Sequence, residues 1–400
     1  MISWQRNLFF IMFAQFLSMM AFSFAMPFAP FYIQEMGVHD PHELKIWIAL
    51  FNSTASFSLA VCAPIWGTLS DRYGRRLMLL RSYFGGLIVL ILMGMATSPT
   101  MLVSLRIFQG ILSGTMTAAI TMVSVSTPEK RSGYALGMLS AAVASGCMCG
   151  GFLGGLFADL YGYRQAFFAS SGLMLVAALL VLFGTEEYVP KRKEEGDDLH
   201  EYKFRLTPGN LGAAGLILIM MSVIGFVLSF DYSWLPLLVQ EIHGGLRGVS
   251  FWAGSLAAVG GLAGLLAGPI IGRMADRIPP PLIARFSALG AGCMAMLVAV
   301  ASSFSFLFAT RFCMAFCAGG LEPIFQIWLS KVTPQKERGV VFGWASTARA
   351  TGWMLSPLVS GIVAWLAGVR TVFFVSAALL FLLVPLITFV VYKLEHRNNI

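Results

Sequence analysis

Charge is what this 400-residue chain has least of: Asp, Glu, Lys and Arg together make up 12% of it, where an ordinary water-soluble domain has about 25%. With 58% apolar residues and a mean hydropathy of +0.78, too little polar surface is available for a chain that folds in water. Barrel strands are missing too, since no ten-residue stretches of alternating polarity occur. Backbone groups in lipid must then be satisfied within helices. The sequence has no nucleotide-binding loop, no nucleophile with a base beside it and no cluster of metal ligands, which leaves an enzyme without its chemistry. Its six cysteines, at positions 62, 147, 149, 293, 313 and 317, all lie inside apolar runs, which argues against a disulfide framework. Cys313 and Cys317 share a helical face but lack His or carboxylate neighbours, so no metal or other cofactor is expected.

What the chain does have is long apolar runs. Each is about 20 residues or more, the length that crosses a hydrocarbon core as a helix. Twelve such spans begin near residues 8, 46, 78, 99, 133, 165, 211, 247, 282, 303, 339 and 370. The first is too long for a cleavable signal and is expected to remain as a span. A net charge of +8 could suggest a nucleic-acid partner, but the basic residues are divided among short loops. Of the 27 lysines and arginines, 20 fall in the termini and in loops on the same side of the membrane, and four (Lys45, Arg164, Arg247, Arg370) fall opposite. The positive-inside rule accounts for this asymmetry and puts both termini in the cytoplasm; no nucleic acid is expected.

Between Thr185 and Asn210 the pattern changes, with Lys191-Arg192-Lys193 followed by Glu194, Glu195, Asp197 and Asp198. This stretch reads as a solvated linker. It divides the chain into a six-helix bundle over 1–184, a cytoplasmic linker over 185–210 and a second six-helix bundle over 211–400. The halves are related, because features recur at an offset of 205 or 206 residues. Pro30 and Gln34-Glu35 recur as Pro236 and Gln240-Glu241, Asp71-Arg72 as Asp276-Arg277, Arg106 as Arg311, and Arg164 as Arg370. The expected fold is an all-α membrane protein of twelve transmembrane helices in two pseudo-symmetric bundles, a repeat arrangement found in transporters.

One polar stretch, Gly67-Thr68-Leu69-Ser70-Asp71-Arg72-Tyr73-Gly74-Arg75-Arg76, separates the second and third spans and reads as a tight cytoplasmic loop. It resembles the signature turn of the major facilitator superfamily. With Leu77 to Ser82, Pro64 to Trp66 and Ser132 to Gly137, it is similar to the multidrug-efflux branch of drug/proton antiporters. The resemblance implies a secondary transporter of a bacterial inner membrane, working as a monomer on a small molecule and protons in the lipid bilayer. It also implies that Gly67, Asp71, Arg72, Gly74, Arg75 and Arg76 act in gating. In the second copy, Gly272 to Pro279, the later Gly-Arg is lost, so any latch there should be weaker.

Arg106 lies about 10 Å inside the fourth span, counted at 1.5 Å per residue. A charge deep in a span is costly, so it either faces inward with a partner or snorkels to the outer surface. By resemblance, Arg106 and Gln109 match a motif associated with proton transfer. Depth pairs the charges of the second half: Asp231 with Arg311, and Glu322 with Arg349. Such acids could exchange protons as the cavity changes sides, or could form static ion pairs; both readings stand. In the fifth span, Gly146, Gly150, Gly151, Gly154 and Gly155 form a close-packing surface. The family's antiporters have a glycine-rich motif here, with Gly151 standing where proline is usual. The family's cavity is lined by helices 1, 4, 7 and 10, which nominates Gln15, Phe108, Gln109 and Phe230, with Asn52 added from the second span. The rival cargo is a defined metabolite, a sugar or organic anion; a membrane receptor, enzyme or channel fits the pattern less well.

Overall fold

The computed structural model describes residues 3–128, 131–187, 208–275, 277–332 and 338–397. The regular structure described is helical. The first half comprises α1 (Ser3–Ala25), α2 (Ala29–Glu35), α3 (Pro41–Tyr73), α4 (Arg75–Gly94), α5 (Pro99–Leu112), α6 (Thr115–Ser126), α7 (Ser132–Tyr161) and α8 (Tyr163–Gly184). Corresponding elements of the second half are α9 (Pro208–Ser229), α10 (Leu235–His243), α11 (Val249–Ala275), α12 (Pro280–Ala299), α13 (Phe304–Ala318), α14 (Leu321–Val332), α15 (Arg338–Ala367) and α16 (Val369–Arg397). Among the described residues, eleven helical segments are long and apolar enough to cross a membrane. The remaining crossing is shared by α5 and α6, whose 14 and 12 residues are each too short alone.

Breaks in the helices obey the internal repeat. Between α1 and α2 lies a single 3-10 turn, Met26–Phe28; its counterpart between α9 and α10 is Tyr232–Trp234. Pro27, Pro30 and Pro236 sit at these joints, where a missing N–H and a fixed φ interrupt the helical ladder. Ser113 and Gly114 separate α5 from α6, and Gly319 and Gly320 separate α13 from α14. Thus the first and fourth spans of each half are all discontinuous, at matching heights.

The stretch from Gly67 to Arg76 is not the ten-residue loop expected. Helix α3 continues through it to Tyr73, and Gly74 alone, at φ +96°, separates α3 from α4. Charged residues beyond the lipid are compatible with a helix, so only the left-handed residue, which glycine adopts without steric cost, ends it. Of the expected linker, residues 188–207 lie outside the described residues, as does Asp276.

Each half has its own sealed core. Tyr32 donates to the carbonyl of Ala96 at 3.0 Å and lies against Phe167, at 5.4 Å between ring centroids. In the other half, the Trp234 indole donates to Ser360 at 2.9 Å. The halves meet where α7 runs along α11 and α3 along α15. Toward the end opposite the termini this seam packs closely, with Ala49 against Gly361 and Gly155 against Ser250.

Candidate functional site

A cavity of about 310 Å³ lies between the halves, walled by three of the broken spans together with α3 and α11. Met26 and Pro27 line it from the first joint, Tyr232 and Ser233 from the second, and Arg106, Gln109 and Ser113 from α5 and its end. Joints of this kind place irregular backbone beside a cavity rather than lipid, one of the settings in which a membrane tolerates it.

Arg106 faces inward, so the snorkelling alternative is overturned. Its Nε donates to the Phe51 carbonyl at 3.2 Å, and Nη1 donates to Gln109 Oε1 and lies 3.4 Å from the Met26 sulfur. The guanidinium also sits 4.5 Å from the centre of the Phe51 ring. These are neutral partners, and among the described residues no carboxylate lines the cavity. The cavity therefore has a positive wall. Gln109 is held in place by the same bond and is 5% exposed.

The nominated cavity residues divide. Asn52 and Gln109 line the cavity, with the Asn52 amide donating to the Ile48 carbonyl at 3.0 Å. Gln15 does not, because it is sealed inside the first half, accepting from the Tyr83 hydroxyl at 3.0 Å. Phe230 is likewise sealed, against Phe226, and Phe108 is 56% exposed and does not line the cavity. The sequence reading missed Met26, Tyr232 and Ser233. The signal was present in the prolines beside them, Pro27 and Pro236, which mark where the helices open.

Both pairs matched by depth are formed. Arg311 Nη1 meets Asp231 Oδ2 at 2.7 Å, with their side chains 12% and 2% exposed. Arg349 pairs with Glu322 in a more open setting, 24% and 31% exposed, with Trp353 under the guanidinium at 5.1 Å. Glu322 occupies the first turn of α14, where a helix dipole favours an anion, and the Gln326 amide donates to it at 3.4 Å.

At the far end of α3, the side chains of Asp71 and Arg72 and the surroundings of Gly67 lie outside the description. The carboxylate found there is Glu187, which the sequence reading did not single out. It accepts from the backbone N–H of Arg75 at 3.0 Å and of Arg76 at 2.8 Å, capping α4, which has only Gly74 at its own cap position. Arg76 reaches the Leu182 carbonyl at the end of α8. Glu186 alongside pairs with Arg6 at 3.0 Å.

The glycines of α7 form two stripes. A Cβ on Gly146, Gly150 or Gly154 would come within 2.2 to 2.4 Å of the carbonyl oxygens of Phe16, Met20 and Phe24 in α1. Gly151 and Gly155 face α11 instead: a Cβ on Gly155 would lie 2.2 Å from the Ser250 oxygen, and one on Gly254 would lie 2.2 Å from the Gly151 oxygen. One helix thus holds its own half together and touches the other.

The Major Facilitator Superfamily model matches residues 11–298 and 250–399. Multidrug resistance protein MdtG of Proteus mirabilis (strain HI4320) is 34% identical over 383 residues, covering 95% of this chain and 94% of its own. MdtG of Erwinia billingiae (strain Eb661) is 33% identical over 377 residues, covering 94% and 91%. Among solved structures, a bacterial homologue of the human lysosomal transporter Spinster, inward-facing and occupied, superposes with a TM-score of 0.79 at 14% identity, over 98% of this chain and 97% of that one. The human organic anion transporter MFSD10 (TETRAN) gives 0.68 at 17%, over 97% and 100%.

Proposed function

Because this chain belongs to the major facilitator superfamily and is a secondary transporter rather than an enzyme, we propose that it exports drug-like lipophilic compounds in exchange for protons. Its bundles, 1–184 and 211–400 joined by a cytoplasmic linker, rock about the central cavity so that access alternates between the two faces. Both termini lie in the cytoplasm of a bacterial inner membrane, as the asymmetry of basic residues argues. With its seam closed at the opposite end, the structure is then the inward-facing state. Gly67, Asp71, Arg72, Gly74, Arg75 and Arg76 belong to the cytoplasmic gate that closes when the cavity turns outward.

The observation behind this reading is Arg106, held by Gln109 in a cavity built from discontinuous helices. A half-buried guanidinium whose described partners are all neutral is an unneutralised charge, and its interactions must change when cargo or a proton arrives. Asp231 and Glu322 are the acids that could carry the proton, each released or clamped by its arginine. The second reading, a defined organic anion as cargo, is favoured by the same wall: a guanidinium with no carboxylate among the described lining residues suits neutral and anionic compounds better than cations.

Everted membrane vesicles energised by respiration test both readings. A panel of neutral, anionic and cationic lipophilic compounds is added while the internal acidification is followed. Dissipation of the gradient by neutral or anionic members is expected, with Arg106→Ala reducing it about tenfold or more, the scale of one charged hydrogen bond. If no compound moves protons while the purified protein still binds one, proton exchange is abandoned.

A further inference from the structure

Helix α11 begins at Val249, and the residue before it is Gly248, at φ +78°. Glycine has no side chain to accept from the first N–H groups of a helix, so α11 cannot cap itself from that position. The cap comes from the other bundle. Asp159 of α7 accepts from the backbone N–H of Ser250 through Oδ1 at 3.2 Å and from that of Phe251 through Oδ2 at 2.7 Å. These are the second and third residues of α11, the positions a capping side chain serves.

Spacing explains how a carboxylate of one bundle reaches the backbone of another. Gly151, Gly155 and Asp159 are four residues apart and share one face of α7. The two glycines let α7 and α11 approach backbone to backbone, and Asp159 then meets the start of α11. Tyr163, one turn further on, shares a hydrogen bond with the Ser250 hydroxyl at 3.0 Å. A second tie crosses the seam at the same end: Gln34 Nε2 donates to Gln240 Oε1 at 2.9 Å, and Gln240 Nε2 donates back to Gln34 Oε1 at 2.8 Å. These glutamines are repeat-related, so this is a symmetric contact about the pseudo-two-fold axis.

We propose that Asp159 is the clasp of a gate at the end opposite the termini: its carboxylate caps α11 across the bundle seam, and that end opens only when the cap is released. The proposal rests on the alternating-access part of the functional reading, not on its cargo or its protons. In the closed state the charge is met by two N–H groups and the positive end of the α11 dipole. In the opened state, water must serve both the carboxylate and the bare helix end. The Gln34 and Gln240 pair adds a neutral tie, so Asp159 supplies the charged part of the latch.

Double electron–electron resonance on the full chain tests it, with the six cysteines replaced and nitroxides attached at His39→Cys and Arg247→Cys, both exposed at that end. The unmodified seam is expected to give mainly the short, closed distance. Asp159→Ala is expected to raise the long-distance population about fivefold, the equilibrium shift that follows loss of a typical helix cap. Asp159→Asn keeps the shape and one acceptor oxygen and is expected to shift it less, which guards against a variant that merely fails to fold. Unchanged distances in both variants would overturn the clasp while leaving the transport reading intact. A shift in the distances, with no compound exchanged for protons in vesicles, would support the clasp and remove only the coupling.

Discussion

Asp231 and Arg311 show what one residue decides in this protein. Both are nearly sealed at 2% and 12% exposure, and a buried ion pair that loses one partner leaves an uncompensated charge. Asp231→Ala is expected to cost about 3–5 kcal/mol in thermal unfolding in detergent, and the Asp231→Leu/Arg311→Met double variant should recover most of it. Proton exchange retained by that double variant would move the coupling role to Glu322. The pair was legible from sequence because depth in a span is counted at a fixed rise per residue. Rotation about the helix axis was not: lipid is as apolar as a protein core, so α1 and α9 have apolar residues on every side. The sequence therefore could not say whether Gln15 on α1, or Phe230 just after α9, faces the cavity.

Among the elements, α7 packs its glycines against both halves. Gly155→Ala would drive a methyl to within 2.2 Å of the Ser250 carbonyl oxygen, and relieving such overpacking typically costs about 1–3 kcal/mol. Thermal stability should fall, and the seam with α11 should loosen with it. Gly137→Ala, on the same helix with nothing within 4 Å of the added carbon, should be neutral or stabilising by up to about 1 kcal/mol through helix propensity. Equal losses in both variants would mean that the contact with α11 is not what sets the cost. The glycine pattern itself was readable, but not its division into an α1-facing and an α11-facing stripe, which needed the partner helices. Similarly, the polar residues from Gly67 to Arg76 signalled the membrane edge and not the end of α3, because helices continue into water without penalty.

For the molecule as a whole, the repeat was the most informative signal. An offset of 205 or 206 residues, seen in scattered prolines, glutamines and arginines, reappears as joints at matching heights in the first and fourth spans of each half. Three of those joints, at Met26–Phe28, Ser113 and Tyr232–Trp234, border one cavity, with Arg106 on its wall. The α5–α6 break was not foreseen as a break, since a run of apolar residues through Ser113 and Gly114 reads as continuous.

Transport in purified proteoliposomes tests the account most directly: a pH gradient is imposed with no other energy source, and movement of a compound found active in vesicles is followed. The account predicts that the compound moves against its own gradient while protons move the other way, and that Arg106→Ala reduces the coupled movement about tenfold or more. Movement that ignores the pH gradient, or full coupling in Arg106→Ala, would contradict it.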